Sequence, residues 1–350
     1  MFKTKMTELF GIEYPIMLAG MNWITDSKLV ATISNAGCLG ILATARYTPE
    51  EVRKCIKEIK SLTKKPFGIN QMLLMPGAKE VIQIAIEEKV PVINYTLGKP
   101  WFIDQVHAYG GKVLGTTALG KHAVKAAQLG CDAIVITGHE AAAHGADATS
   151  LILIPLVAKN VKIPVIAAGG FYDGRGLAAA LCLGADGISM GTRFMLTKES
   201  ALHDNFKQLC LEATEQDTIY DTAFDGMPGR ALKSKGAITL TKRGFPIVDA
   251  FKGAMQLKNI LKLSMLQFAG LSFKMMTNEE SSPLWVQARQ AAGMPKHLKG
   301  IYEGDKEDGV LFAGQCIGDI NDIPSCAELI DRVIKEAEET IKKTSLKMLA

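Results

Sequence analysis

Three side chains that can exchange protons lie close together in the stretch GHEAAAHGADATS, residues 138–150. His139, Glu140 and His144 stand among alanines and glycines, with apolar runs on either side. Imidazole titrates near neutrality, so a histidine here suits general acid–base chemistry, and Glu140 could orient a histidine or pair with a lysine. The spacing offers no third ligand for a metal such as zinc. We expect His144 to reach a ligand and His139 to matter less.

Glycine motifs follow two later apolar runs, in AAGGFYDGRG (167–176) and MGTRF (190–194). Glycine lets the backbone approach a ligand closely, and successive N–H groups near a helix N-terminus form a cradle for phosphate. The two motifs therefore predict a phosphate site beside the histidine stretch. Weaker candidates for the same pocket lie at or near other apolar runs. They are Gly20, Met21, Asn70, Thr116, Thr117 and Gln315.

Eight short apolar runs predict the strands that carry these residues. They are PIMLAG (15–20), LGILAT (39–44), PFGINQML (66–73), VPVINYT (90–96), KVLGTT (112–117), AIVITG (133–138), PVIAAGG (164–170) and GISMGT (187–192). Amphipathic runs alternate with them, and the clearest is TPEEVRKCIKEIKSLT. Thr48, Pro49 and Glu51 there form a helix start with a capping box.

This alternation predicts an α/β fold with parallel strands joined by helices. Eight such units favour a (β/α)8 TIM barrel over an open doubly wound sheet, because no Gly-x-Gly-x-x-Gly follows the first strand. We expect residues 1–199 and 313–350 to form the barrel. An added, mostly helical region, residues 200–312, would cover the substrate. In a barrel, all of the motifs described so far would lie at the C-terminal ends of strands, where active sites are found.

Bulk composition excludes several classes of protein. A net charge of +4 is too small to indicate nucleic-acid binding. Seven cysteines without a Cys-x-x-Cys pair indicate a reducing compartment rather than disulfides or structural zinc. The N-terminus lacks the apolar core of a signal peptide, and Lys262, Gln267 and Lys274 interrupt the most apolar late stretch. We expect a cytoplasmic protein without a membrane span, whose partner is a small-molecule substrate.

Six segments in order resemble the nitronate monooxygenase family, formerly called 2-nitropropane dioxygenases. They are YPIMLAGM, SNAGCLGIL, LTKKPFGIN, GHEAAAHGA, IPVIAAGGFYDGRGLAAALCLGADGISMGTRFMLTKES and AGQCIGDINDIPSCAEL. The likeness is best over residues 7–217 and 301–340, while residues 225–300 carry little signal.

The resemblance implies a barrel that binds FMN without a covalent bond. His144 would be the active-site histidine, and Ala142 would lie near the flavin. The motif positions that would contact FMN are Gly20, Met21, Asn70, Ala168, Gly169, Gly170, Gly191 and Thr192. By their places at strand ends or beside the barrel mouth, we add Asn22, Thr116 and Gln315 to the predicted cofactor site.

Three positions depart from the family pattern. Ala143 replaces the glycine that usually precedes the histidine, Thr116 stands where some relatives carry a lysine, and Asn22 stands where glutamine is common in some branches. These departures bear on the substrate and on the flavin potential rather than on the fold.

The resemblance implies oxidation of alkyl nitronates with O2, giving nitrite and a carbonyl compound, with His144 stabilising the anion or moving a proton. The same fold family includes NAD(P)H:quinone reductases and flavin-dependent enoyl-thioester (enoyl-ACP) reductases. Both remain alternatives because all three activities share the flavin motifs. A flavin-binding protein without enzymatic activity is a fourth possibility.

Overall fold

The computed structural model describes residues 2–142, 144–242 and 284–349, together with 251, 253–255, 258, 264–266 and 270. Its centre is a sheet of eight parallel strands. They are β1 (Ile16–Leu18), β2 (Gly40–Ala43), β3 (Phe67–Met72), β4 (Val92–Thr96), β5 (Lys112–Thr117), β6 (Ala133–Thr137), β7 (Val165–Ala168) and β8 (Gly187–Met190). Each lies within the segment that the sequence predicts, so the α/β prediction is confirmed.

The sheet closes into a barrel. Neighbouring strands pair in the order β1-β8-β7-β6-β5-β4-β3-β2. The ring is completed between the first two strands, where Met17 bridges Leu39 and the Leu18 N–H donates to the Leu39 carbonyl at 2.9 Å. The predicted (β/α)8 barrel is therefore confirmed over an open sheet.

Seven helices connect the strands, and two more flank them. They are α1 (Lys5–Phe10), α2 (Ser27–Asn35), α3 (Pro49–Leu62), α4 (Ala78–Glu87), α5 (Ile103–His107), α6 (Gly120–Gln128), α7 (Ser150–Asn160), α8 (Gly174–Cys182) and α9 (Thr192–Met195). Helix α3 begins as the sequence predicts. Thr48 accepts from the Glu51 N–H, and the Glu51 carboxylate accepts from the Thr48 N–H, so the capping box is present.

Two apolar layers hold the barrel together. The inner layer fills the barrel with inward-facing strand residues such as Ile41, Leu114 and Ile166, and α1 closes its N-terminal end with Met6 and Phe10. The outer layer packs the helices against the other strand faces. Because both faces of each strand are buried, the strands are nearly continuous apolar runs in the sequence.

The added region contains more than the helices that the sequence predicts. Its described elements are α10 (Asp204–Leu211), β9 (Thr218–Asp221), β10 (Gly229–Leu232), α11 (Lys235–Lys242), α12 (Leu284–Leu298) and a π-helix (Lys299–Glu303). A 3-10 helix (Gln315–Asp319) follows this region in the chain. Strands β9 and β10 pair as an antiparallel hairpin, and α11 follows directly. The sequence predicts loop with a possible short strand over residues 225–246. Strand β10 confirms the strand, whereas residues 235–242 form α11 instead of loop.

The last helix, α13 (Cys326–Leu349), packs along α8. The contact is close at Gly174, where a Cβ would lie 2.3 Å from the Ala337 nitrogen and 2.4 Å from the Val333 carbonyl oxygen. The Glu336 carboxylate also accepts a hydrogen bond from the Gly174 N–H at 2.8 Å. Helix α13 therefore fixes the start of α8. No helix in the described ranges has the length and apolar character of a membrane span.

Candidate functional site

A cavity of about 990 Å³ opens at the C-terminal ends of the strands. The added region covers part of it through Asp225, Met294, His297 and Phe312. Every predicted site residue except Gln315 lines this cavity: Gly20, Met21, Asn22, Asn70, Thr116, Ala142, His144, Ala168, Gly169, Gly170, Gly191 and Thr192. The topology thus brings together side chains that are far apart in the sequence.

Gln315 holds the barrel mouth together from outside the cavity lining. Its backbone N–H donates to the Glu140 carbonyl at 2.9 Å, and the Gly314 N–H donates to the Thr192 hydroxyl at 2.9 Å. Its neighbours Gly314 and Cys316 line the cavity. Gly314 and Gln315 therefore bond the barrel through their backbone N–H groups, and the predicted ligand contact of the Gln315 side chain stays a prediction.

The glycines after β7 adopt backbone conformations that other residues rarely take. Gly169 and Gly170 have φ angles of +102° and +83°. A Cβ on Gly169 would lie 3.0 Å from the backbone of Gly138, and a Cβ on Gly20 would lie 2.8 Å from the Asn70 Cβ. Small residues along this wall therefore project little into the cavity, which keeps the wall low. Such a wall, with backbone turned toward the space, fits the phosphate and the flat ring of a flavin.

The Glu140 carboxylate holds the backbone beside the glycine cradle in place and does not orient a histidine. Its carboxylate accepts from the Ser150 N–H at 3.0 and 3.1 Å, at the first residue of α7, where a negative charge stabilises a helix start. The Ser150 hydroxyl lies 2.9 Å from the Gly169 carbonyl and 3.1 Å from the Glu140 carboxylate. Among the described residues, neither sequence-based role for Glu140, orienting a histidine or pairing with a lysine, is seen.

His144 is paired with an acid that the sequence did not indicate. Its Nε2 lies 2.7 Å from the Asp225 carboxylate, in the loop between β9 and β10. Burial by itself would raise the pKa of Asp225. The hydrogen bond and charge of His144, with the Met227 N–H, hold that pKa below its ordinary value. An ionised Asp225 accepts the Nε2 proton, which leaves Nδ1 of a neutral His144 as the basic nitrogen.

A second histidine lies beside this pair. His297 is 7% exposed and stacks on the Phe312 ring with centroids 4.5 Å apart, while the His144 ring meets the same phenyl ring at 6.1 Å. Burial lowers the pKa of His297 to about 4, although the charge of Asp225 opposes that shift. His297 is therefore neutral near pH 7. Its Nε2 is buried without a hydrogen-bond partner among the described residues.

The β9–β10 hairpin holds the histidine stretch on both sides of His144. The Arg230 N–H donates to the Ala142 carbonyl at 2.6 Å, and its guanidinium donates to the His139 carbonyl at 3.1 Å. The Tyr220 hydroxyl donates to the Gly145 carbonyl at 3.1 Å. The His139 Nδ1 lies within hydrogen-bond distance, 3.0 Å, of the Ala146 carbonyl oxygen. This bond gives His139 a structural role. Ala143, one of the departures from the family pattern, lies outside the described residues.

Thr116 lines the cavity with its hydroxyl already engaged. Its Oγ1 donates to the Asn94 side-chain carbonyl at 2.8 Å. Asn94 is buried and also lines the cavity, one strand away on β4. Sequence reasoning missed Asn94, because a single asparagine inside an apolar strand has no motif around it.

Positive charge predominates along the cavity. Asp225 is the one carboxylate among the described lining residues, and it is paired with His144. Arg46 follows β2, Lys99 follows β4 and Lys125 lies on α6, whereas the glycines follow β7 and β8. The cavity lining therefore favours anionic ligands.

The chain resembles several known proteins over most of its length. The sequence profile of the nitronate monooxygenase family matches residues 3–83 and 77–336. A relative from Rhodococcus jostii, named (3aS,4S,5R,7aS)-5-hydroxy-7a-methyl-1-oxo-octahydro-1H-indene-4-carboxyl-CoA dehydrogenase, is 40% identical and covers 97% of both chains. A probable nitronate monooxygenase of Staphylococcus haemolyticus is 31% identical over 68% of this chain and 80% of its own.

Among solved structures, FabK from Thermotoga maritima superposes with a TM-score of 0.81 and 32% identity, covering 99% of both chains. The family match extends over the barrel, the glycine cradle and most of the added region. The chain therefore belongs to the nitronate monooxygenase family and is a flavin-dependent oxidoreductase.

Proposed function

We infer that the chain is an FMN-dependent oxidoreductase of acyl-coenzyme A thioesters, which interconverts a carbon–carbon single bond beside the thioester carbonyl with a double bond. The observation that carries this proposal is the 97% coverage of both chains in the alignment with the R. jostii CoA dehydrogenase. That alignment extends through the added region, which supplies Asp225 and His297. The staphylococcal nitronate monooxygenase aligns with 68% of this chain.

The residues present fit FMN. The phosphate would lie on the backbone of Gly169, Gly170 and Gly191, and the ring would lie over the low wall formed by Ala142 and Ala168. Bound FMN would supply the chemistry that side chains lack, namely acceptance or donation of a hydride. A single phosphate cradle on these adjacent strand ends supports a mononucleotide.

His144 and Asp225 would move the proton. The thioester carbonyl acidifies the neighbouring C–H bond, and the basic Nδ1 of His144 would take that proton, with Asp225 stabilising the imidazolium. The electron pair of the broken C–H bond would form the double bond as a hydride leaves the adjacent carbon. Taking up that hydride, with a nicotinamide nucleotide as the final acceptor of the two electrons, is the chemistry that FMN held on Gly169, Gly170 and Gly191 would supply, and the reverse direction would reduce an enoyl thioester.

Nitronate oxidation is the second candidate, and the observation that favours it is the family match itself. A nitronate is a small anion, which the positive lining would attract and which His144 could stabilise. It would be oxidised by O2 to nitrite and a carbonyl compound without any nucleotide. Quinone reduction would instead need only a nicotinamide nucleotide and a quinone.

Anaerobic flavin reduction separates these activities. We expect a cyclic acyl-CoA, or NADH or NADPH in the reverse direction, to bleach the flavin of the purified protein rapidly, and an alkyl nitronate to leave it oxidised. The His144→Ala variant should keep its flavin and lose about 10²-fold or more in turnover, whereas His139→Ala should be close to wild type.

Rapid reduction of the flavin by alkyl nitronates, with nitrite formed when oxygen is admitted, would overturn the thioester proposal in favour of nitronate oxidation. Reduction by NADH or NADPH with turnover of quinones but not of enoyl thioesters would favour a quinone reductase instead.

A further inference from the structure

Arg46 lies at the cavity mouth in a setting that the proposed hydride and proton transfers do not use. It follows β2 and lines the cavity, and β1 separates β2 from β8, the strand that precedes Gly191. No carboxylate pairs with it among the described residues. An arginine that is held in place beside a cavity without an acidic partner is suited to a ligand that brings its own negative charge.

Three aromatic side chains fix the Arg46 guanidinium. Its Cζ lies 4.3 Å from the centre of the Tyr47 ring and 5.8 Å from that of Trp23. Its two terminal nitrogens donate to the hydroxyls of Tyr302 and Tyr47. Stacking and hydrogen bonding together restrict the side chain before any ligand arrives, which lowers the entropy cost of binding.

Tyr302 connects this arginine to the added region and to β1. Its hydroxyl accepts from Arg46 and donates to the Trp23 carbonyl at 2.8 Å. Trp23 has a φ angle of +72°, a conformation that a bulky residue rarely adopts without support. The Tyr302 bond, which comes from the π-helix of the added region, provides that support. The arginine and its aromatic frame are thus assembled from three separate segments.

The guanidinium keeps unused donors. Of its five N–H groups, Tyr47 and Tyr302 account for two. The Nε–H is buried without a partner among the described residues, and each terminal nitrogen keeps one further N–H. A phosphate offers several acceptor oxygens in a small volume, so it matches this set better than a carbonyl or hydroxyl does.

Two lysines add positive charge to the cavity lining. Lys99 follows β4 and Lys125 lies on α6, and both are exposed cavity-lining residues. Because β1 lies between β2 and β8, and β6 lies between β5 and β7, the three cations follow other strands than the glycine cradle. Both ligands that would work with FMN here, coenzyme A and a nicotinamide dinucleotide, carry a pyrophosphate and an adenosine.

We propose that Arg46 binds a phosphate of the adenine nucleotide portion of the second ligand, with Lys99 and Lys125 adding positive charge elsewhere on the same cavity. The coenzyme A source of that phosphate rests on the proposed function, whereas the nicotinamide source does not. The experiment is calorimetric titration of the flavin-loaded protein with free coenzyme A, NADH, NADPH and pantetheine, which lacks the nucleotide. No turnover is needed, so the result is independent of whether a thioester reacts.

We expect Arg46→Gln to weaken one nucleotide ligand about 10- to 100-fold, the range for a charged hydrogen bond, and to leave pantetheine unchanged. Arg46→Lys should give a smaller loss. Arg53→Gln, which removes the same charge from α3 where Arg53 pairs with Glu87 and Glu88, should bind every ligand like wild type. A loss confined to coenzyme A or to the dinucleotides supports the proposal and identifies the source.

Unchanged affinity for all three nucleotides would overturn the proposal. So would an equal loss for pantetheine, because Arg46 would then act only through the shape of the pocket. Tyr302→Phe keeps the charge and removes the hydroxyl that holds it. We expect this variant to weaken the same nucleotide several-fold, which gives a second measurement if Arg46→Gln folds poorly.

Discussion

At the scale of single residues, the proton chemistry depends on a pair that two distant segments form. His144 comes from the loop after β6, and Asp225 comes from the β9–β10 hairpin. The sequence indicated His144 because small residues surround it next to a strand end. It did not indicate Asp225, because an aspartate before a glycine and methionine in a loop resembles any turn.

Asp225→Asn tests whether the carboxylate serves the reaction or only the fold. An amide cannot stabilise an imidazolium by charge, so we expect kcat to fall about 10²-fold while the KM and the flavin content stay near wild type. Asp225→Glu should restore part of the rate. A fall in flavin content that parallels the fall in kcat would assign Asp225 to the fold instead.

His297 makes stability depend on pH. In the unfolded chain its pKa is near 6.5, and in the folded chain burial lowers it to about 4. Between these values the unfolded state binds the proton that the native state excludes, so stability falls as the pH drops from 6.5 toward 4 and levels off below it. The shift corresponds to about 3 kcal/mol.

Urea denaturation at pH 7.5 and pH 5 measures this effect. The wild type should lose more stability between the two pH values than His297→Gln does, and the exposed His122→Gln should behave like the wild type. Equal losses in all three proteins would mean that His297 takes up a proton as readily in the native state as in the unfolded state.

At the scale of elements, the hairpin is the part of the added region that shapes the catalytic loop. Arg230 contacts the carbonyls of His139 and Ala142, and Tyr220 contacts that of Gly145. Arg230 and Tyr220 thus fix the loop through its backbone, and neither is among the residues that line the cavity. This is how the added region acts on a site whose predicted residues belong mostly to the barrel.

Arg230→Met should loosen the loop while the side chain still fills its space. We expect kcat to fall about tenfold or more, because small misplacements of a catalytic group are costly, and amide exchange to rise in residues 138–149. Lys235→Met, which removes a charge from an exposed ion pair with Glu307 in the same region, is the control. An unchanged exchange rate in the loop would contradict this role.

The elements themselves were predictable where pattern and tertiary structure agree. All eight strands and the capping box of α3 follow from apolar periodicity and end signals. Helix α11, KGAITLTK, did not, because glycine and three β-branched residues lower its helix propensity and packing against its neighbours overrides that preference. The hairpin strands of four residues each were too short to show alternation.

At the scale of the whole molecule, α13 packs against the start of α8, which closely follows the glycine cradle in the chain. The cradle is therefore connected to α13 through α8. Gly174→Ala would place a methyl carbon 2.3 Å from the Ala337 nitrogen, so α13 must shift away from α8. We expect a loss of about 1–3 kcal/mol in the free energy of unfolding, together with weaker FMN binding. Gly120→Ala, whose Cβ would meet the tip of Leu156 at 3.2 Å, should be close to neutral in both.

A Gly174→Ala protein with unchanged stability and flavin affinity would show that α13 can move without disturbing the start of α8. A loss of stability alone, with normal flavin affinity, would limit the contact to a structural role.

The contact between α13 and α8 also sets the order in which a newly made chain becomes competent for its cofactor. A ribosome that has synthesised all eight strands has not yet produced the helix that braces the cradle. We therefore expect nascent chains to hold flavin poorly until residues 326–349 emerge, so that cofactor loading follows translation of the barrel instead of accompanying it.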